Sequence, residues 1–461
     1  MFGTALAGSV VAAACQPAAS TPAPSSSGQT DANPTAASGQ APAAQAPAKS
    51  GEQIKLVWDT FRGVGTPWPD ERIKAFQEKH PNVTVELRPI PVPNNQQEAY
   101  PKMYAMYASN TLGDVFAFDP SHWEFYRAVP QGLIRPLDEY VAADKYDLSQ
   151  FYEPFVEMQK LNGKLWGLPS WGWSGQDGII YNEVALQEAG INPPDHDSPE
   201  WTLDAIRDMA VKLNKLGDGG RYERFGINLT LAASGATILA RAYDNDDVIS
   251  ADGTKALITE PNVAKAFQWV NELTQTDKVV ALPGGFEGSI NDLFASGKCA
   301  MVHSGSLTVF NIQKAIKDEK VAVVRTALFP KRSDGKRPSQ MRGGTWNVGS
   351  KAKQPDAGWE FIQTLTDKEG TLTFNTIGGN GALVRPDIMD DPYFSHEGFR
   401  PFLENLLTAM PAFVPANARG TEFEQTFSQA WAEVYLGKID FDSGLAKLND
   451  AVQRVLDKPT T

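Results

Sequence analysis

The residues best suited to chemistry in this 461-residue chain are aromatic rings set beside charged, planar side chains. Trp58-Asp59 is followed at once by Phe61-Arg62, and Asp119 precedes His122 and Trp123. Trp171 and Trp173 flank Gly172, with Gln176 and Asp177 just beyond. Phe286-Glu287 lies in a glycine-rich stretch, Trp346 follows Gly343-Gly344, and Arg385 closes a stretch that contains Gly378-Gly379. A tryptophan offers a flat apolar face with a polar handle, and a carboxylate or guanidinium forms directional, often bidentate hydrogen bonds. Together they suit a ring with an apolar C–H face and a rim of hydroxyls, such as a pyranose. Two carboxylates about 5–9.5 Å apart astride one bond would instead hydrolyse a glycoside, and the sequence leaves that alternative open. Structural readings stand beside these. Trp58 suits a core as well as a platform, Trp166, Trp201 and Trp359 read as packing residues, and Arg62, Glu287 and Arg385 suit solvated surface equally well.

Other chemistries find no support. The five histidines, His80, His122, His196, His303 and His396, are widely spaced, and none forms the helical pair that binds a transition metal. No Gly-x-Ser-x-Gly elbow occurs, and Gly172-Trp173-Ser174-Gly175 has the wrong spacing for one. No P-loop or dinucleotide fingerprint is present, so neither a metal nor a cofactor is expected. With two cysteines, Cys15 and Cys299, neither a disulfide scaffold nor a multi-cysteine zinc site can form. Cys299 sits in an apolar run and reads as a small buried hydrophobe. A net charge of −13 argues against nucleic acid as a partner.

The length calls for two or three domains, and 42% hydrophobic with 10% aromatic residues is enough to build globular cores. Positioning begins at Glu52. Ile54, Leu56 and Trp58 alternate as a strand, and Val57 makes it apolar on both faces. Asp70 is placed to cap a helix carrying Ile73, Ala75 and Phe76 that Pro81 ends, and Val83, Val85 and Leu87 form the next strand. Val115–Phe118, Ile179–Tyr181, Phe225–Ile227, Cys299–Val302 and Val321–Val324 read as further strands. Helical spacing links Ile206, Met209 and Leu213 behind a Thr202 cap. The same spacing links Trp359, Phe361, Ile362 and Leu365, and then Leu445, Leu448, Val452 and Val455. The fold class is α/β with open, mostly parallel sheets.

The amino terminus has its own logic. Phe2–Ala14 is uncharged and has the length of a signal-peptide apolar region, too short to span a bilayer, which takes about 20 residues. It stops at Ala12-Ala13-Ala14-Cys15, which resembles a bacterial lipobox although Ala12 stands where such signals usually have Leu. Residues 1–15 therefore read as a lipoprotein signal with lipid attached at Cys15; the alternative is an ordinary secretory signal with an incidental cysteine. From 16 to 51 the chain is almost wholly Ala, Pro, Ser, Thr, Gln and Gly, with Asp31 and Lys49 its only charges, the composition of a disordered tether. As a random coil it would span roughly 30–36 Å.

Several landmarks then follow in order: Leu112-Gly113-Asp114-Val115, Gly132-Leu133-Ile134-Arg135-Pro136-Leu137, Gly163-Lys164-Leu165-Trp166-Gly167-Leu168-Pro169, Tyr181-Asn182 and Ala189-Gly190-Ile191. Gly297-Lys298-Cys299-Ala300-Met301, Gly343-Gly344, Trp359-Glu360-Phe361 and Gly381-Ala382-Leu383-Val384-Arg385 complete the series. In this order they resemble the extracellular solute-binding proteins that include the maltose-binding protein, the capturing components of ABC sugar importers. The resemblance implies a two-lobed fold with hinge-linked lobes and a central ligand cleft. Residues 52–170 with 303–342 would form the first lobe, and 171–302 with 343–461 the second. The chain would cross near Leu168–Trp173, near Met301–Gly305, and between Phe329 and Gly344. It implies a non-enzymatic monomer that binds a sugar or oligosaccharide, passes it to ABC permease subunits, and is held outside the cytoplasm by a lipid anchor. The expected ligand-binding residues are Trp58, Asp59, Arg62, Asp119, Trp123, Trp171, Trp173, Glu287, Trp346 and Arg385. A non-sugar solute in the same fold, glycerol phosphate or a polyamine, is the alternative ligand, ahead of a glycoside hydrolase.

Overall fold

The computed structural model describes residues 53–92, 98–119, 123–174, 177–244, 247–250, 252–378, 383–394, 398, 400–406 and 419–458, all within one compact unit, Lys49–Thr461. The signal, Cys15, the tether, His122 and Gln176 lie outside the described residues.

The alternating Ile54, Leu56 and Trp58 form β1 (Ile54–Thr60), which pairs in parallel with β2 (Val83–Pro89) from Ile54↔Val83 to Thr60↔Pro89. The helix between them, Trp68–Lys79, starts ahead of the expected cap. Pro67 and Pro69 preset its first turn, so Asp70 falls inside that turn, where with Glu71 it faces the positive end of the helix dipole. β3 (Val115–Phe116) lies on the other side of β1. A small hairpin, β4 (Lys160–Leu161) with β5 (Lys164–Leu165), leads into β6 (Leu168–Ser174). Next come β7 (Gly178–Asn182), β8 (Lys215–Leu216), β9 (Tyr222–Asn228), β10 (Cys299–Ser304), β11 (Val324–Leu328) and β12 (Met341–Val348). β11 begins where the strand expected over Val321–Val324 was to end. Val321 and Ala322 instead donate their N–H groups to Asp318 O in a turn.

Two five-stranded sheets result, β2-β1-β3-β12-β6 and β11-β7-β10-β9-β8. They are mixed rather than mostly parallel. β12 runs antiparallel to both β3 and β6, and in the second sheet only β9 and β10 are parallel. The antiparallel strands include those by which the chain leaves one sheet for the other, which obliges them to run against their neighbours. One apolar cluster fills the first sheet and continues along one face of the second through Ile180 and Val302; another, with Ile179 and Met301, fills the opposite face.

This topology corrects the expected lobe boundaries. β10 is hydrogen-bonded to β7 and β9, and β11 to β7, so the chain stays in the second sheet through Leu328 and makes no crossing at Met301–Gly305. β12 lies between β3 and β6, which puts the helix Pro355–Thr366 on the first lobe, its Phe361 5.2 Å from Trp58. The last helices, Gly420–Tyr435 and Phe441–Leu456, belong to the second, with Trp431 4.8 Å from Phe267.

The chain passes between sheets after Ser174 and again between Leu328 and Met341. The helix Arg400–Leu406 packs against both β6 and β11 and links the lobes a third time. Asp177 ties all three links together. Its fully buried Oδ2 accepts from Ser339 Oγ at 3.0 Å and Asn405 Nδ2 at 2.7 Å, and its carbonyl accepts from Phe329 N–H.

Cys299 is fully buried in β10, and burial pushes its thiol up to about 12. The reactive species is the thiolate, so Cys299 in native protein at neutral pH should react with a disulfide reagent only as fast as the protein unfolds. Rapid labelling of Cys299 in the folded protein would contradict this placement.

Candidate functional site

Arg62 and Asp119 stand just beyond the C-terminal ends of the parallel strands β1 and β3, the usual place for ligands in α/β sheets. Thr60 Oγ1 accepts the Arg62 N–H at 2.8 Å and turns the chain as β1 ends. Phe118 N–H donates to Asn347 Oδ1 at 2.8 Å and holds the segment that carries Asp119. Arg62 Nη2 donates to Asp119 Oδ2, with the Arg62 side chain 9% exposed and Asp119 fully buried. The Tyr100 hydroxyl donates to the same oxygen at 3.2 Å. Burial, and then the Asp119 charge, hold that phenol well above its usual range, so it remains a donor.

The guanidinium of Arg62 also lies 4.5 Å from the Trp171 ring centre and 5.1 Å from that of Phe61, within cation–π range. Trp171 and Trp173 project from the same face of β6, as alternate strand residues must, and stack with centres 6.3 Å apart. Phe155 covers the other face and leaves no room for a side chain on Gly172. β12 pairs with β6 so that Gly344 stands opposite Trp171 and Arg342 opposite Trp173. Arg342 lies 5.9 Å from the Trp173 ring and donates Nε–H to Gln340 Oε1 at 3.1 Å.

The second lobe reaches this group through the helix Gly420–Tyr435, which approaches the helix Trp123–Ala128 of the first. Its Glu424 is half-buried, and burial raises its carboxyl above the ordinary range against the opposing pull of Arg342. Arg342 is shifted down by burial, with Glu424 opposing. Arg342 of the first lobe, beside Trp173, is thus within electrostatic reach of Glu424 of the second.

The structure gathers Arg62, Asp119, Trp171 and Trp173, and places the other expected residues elsewhere. Trp58 and Trp346 are core residues, 0% and 1% exposed. Their rings lie 5.4 Å apart, and Trp68 stacks on Trp346 at 6.1 Å. Neither presents a face to a ligand. Asp59 is a structural anchor: both its oxygens take Arg88, at 2.8 and 2.6 Å, and Oδ2 also accepts Gly113 N–H. Arg385 is spent on Asp387, Gln150 Oε1 and Thr366 O. Glu287 is exposed on the loop whose Phe286 packs on Phe225, and no contact joins it to the Arg62 group among the described residues. The Trp123 side chain lies outside the described residues. Tyr100, Arg342 and Glu424 were not expected. Arg342 had a readable signal, its position directly before Gly343-Gly344; Tyr100 and Glu424 had none, because only tertiary packing brings them in.

A family model of bacterial extracellular solute-binding proteins matches residues 71–397, well over half of the chain. The chain belongs to that family. No helix among the described residues is long and apolar enough to cross a membrane. An arabinooligosaccharide-binding protein of Bacillus subtilis (strain 168) is 24% identical to this solute-binding protein over 238 residues, 51% of each chain, so the chain spans about half the length of that curated relative. An ABC substrate-binding protein of Listeria monocytogenes in complex with cycloalternan superposes with a TM-score of 0.73 at 17% identity, over 87% of this chain and 99% of that one. UgpB of Mycobacterium tuberculosis, in complex with glycerophosphocholine, gives 0.72 at 19%, over 89% and 99%. The sugar-binding protein MalE of Xanthomonas citri gives 0.72 at 17%, over 87% and 97%. The fold is therefore that of the two-lobed binding proteins.

This solute-binding protein also has a hollow of about 520 Å³ lined by His196, Asp197, Trp201, Thr202, Tyr243 and Lys331. It is built from the second lobe and the start of a crossing alone, so a ligand there would not join the two lobes.

Proposed function

We propose that this solute-binding protein captures a sugar or oligosaccharide between its lobes and delivers it to the permease of an ABC importer, without chemical conversion. It would act as a monomer outside the cytoplasm, held to the membrane by lipid on Cys15 and free to turn on the 16–51 tether. The observation that carries the reading is the juxtaposition of the Trp171–Trp173 pair with Arg62–Asp119 on one lobe and Glu424 on the other. An aromatic face and bidentate polar groups are what a pyranose needs. A ligand touching both lobes binds the closed form better, which is the differential affinity that closure requires. Two or more acyl chains anchor stably where one does not, and a multiply acylated cysteine would meet that condition.

A second reading, a phosphodiester such as the glycerophosphocholine of the mycobacterial neighbour, is favoured by Arg342 beside the tryptophans. Against it, Arg342 faces Glu424 and Arg62 is neutralised by Asp119, so the site offers no uncompensated cation among the described residues. A thermal-shift screen decides between them. At a concentration about 100 times Kd a ligand adds about 2.7 kcal/mol of stability. Stabilisation by maltotriose, mannotriose or arabinotriose is expected. Stabilisation by glycerophosphocholine or a polyamine alone would replace the glycan reading.

A further inference from the structure

We propose that Asp119 and Trp171 form the two sides of a seat for a single hydroxyl of the bound glycan, with Trp171 acting through its indole N–H rather than as a stacking platform. This rests on the glycan reading above and deepens it. The segment after β3, β12 and β6 lie side by side, so Asp119, Gly344 and Trp171 form a row across the sheet. The middle member has no side chain, and its neighbours lean over it. Trp171 Nε1 and Asp119 Oδ1 lie 1.8 and 2.6 Å from the point a Cβ on Gly344 would occupy. Any other residue type would put a Cβ into these two atoms and force them away.

Both atoms are polar, sit in residues 8% and 0% exposed, and have no hydrogen-bond partner among the described residues. A buried donor and a buried acceptor of this kind ordinarily find partners. The rest of each side chain is engaged. Asp119 Oδ2 takes Arg62 and Tyr100, which leaves Oδ1 for something else. The Trp171 ring carries the Arg62 guanidinium and the stacked Trp173, which leaves its N–H as the group free to serve a ligand.

A group that satisfies both atoms must accept from the indole and donate to the carboxylate. A hydroxyl does both. An ionised phosphate or carboxylate only accepts, and would set its charge against Asp119. A quaternary ammonium does neither. The seat therefore takes a hydroxyl in preference to a phosphate, carboxylate or ammonium group, and stacking falls to the partly exposed Trp173.

The test is calorimetric titration of the full chain with maltotriose, mannotriose and arabinotriose, using wild type, Trp171→Phe and Trp173→Phe. Phenylalanine keeps an aromatic ring at either position and removes the N–H. Trp171→Phe is expected to weaken the bound glycan at least tenfold, and Trp173→Phe by clearly less, since a phenyl ring still stacks. The indole N–H resonance that disappears in Trp171→Phe should shift when that glycan is added to wild type, a readout that a purely structural role would not move. Wild-type affinity in Trp171→Phe, or an unmoved resonance on saturation, overturns the seat while leaving the glycan reading intact. Failure of all three glycans to bind wild type overturns the glycan reading itself, and the seat with it.

Discussion

Asp119→Ala is expected to destabilise the protein by about 3–5 kcal/mol, the usual effect of removing one partner from a buried ion pair. The loss comes less from the missing attraction than from what remains. Arg62, with its side chain 9% exposed and pressed against Trp171, would keep a guanidinium whose carboxylate is gone. The Tyr100 hydroxyl, also buried, would lose Asp119 as an acceptor. Chemical denaturation measures the change. The double variant Asp119→Leu with Arg62→Met should recover most of the loss, because exchanging a whole buried pair for apolar side chains is often neutral. A single-variant effect below about 1 kcal/mol, the size typical of exposed pairs, would mean that the pair is not sequestered as described.

Trp346→Ala should cost about 3–5 kcal/mol as well, by opening a cavity in a packed core. Trp346 is enclosed by Trp58 and Trp68 and is 1% exposed. Trp173→Ala should cost far less stability, since that ring is partly exposed, but should weaken glycan binding. The two variants separate the roles that a tryptophan can play. If Trp346→Phe, which keeps most of the packing, binds its glycan as wild type does, the core placement holds. A selective loss of affinity in Trp346→Phe would return Trp346 to the cleft.

Much of the scaffold was legible from local pattern. The alternation in 54–58 and 83–87, the helix behind Thr202, and the spacing of Leu445, Leu448, Val452 and Val455 each report a face that must be buried, whatever buries it. The position of Arg62 and Asp119 beyond the ends of β1 and β3 was legible too, since both follow apolar strand runs in the sequence. What each side chain does there was not. Arg62 and Arg385 look alike in sequence, each close to glycines at the end of an apolar run. One finds its carboxylate 57 residues away and the other only two, and only packing decides between them. Trp58 and Asp59 are neighbours on one strand and point to opposite faces; both faces proved to be covered, one by aromatic rings and the other by Arg88. The lobe boundaries failed for a related reason. A crossing is set by which strands hydrogen-bond to which, and no local motif records that β12 slots between β3 and β6.

A ligand held between the lobes is what the proposed function requires, and a crystal structure of the protein with the glycan that stabilises it most tests that directly. It should show the sugar against Trp173 and within reach of the helix Gly420–Tyr435, with a hydroxyl between Trp171 Nε1 and Asp119 Oδ1. A glycan seated instead in the hollow beside His196, with Trp173 and Glu424 untouched, would contradict it.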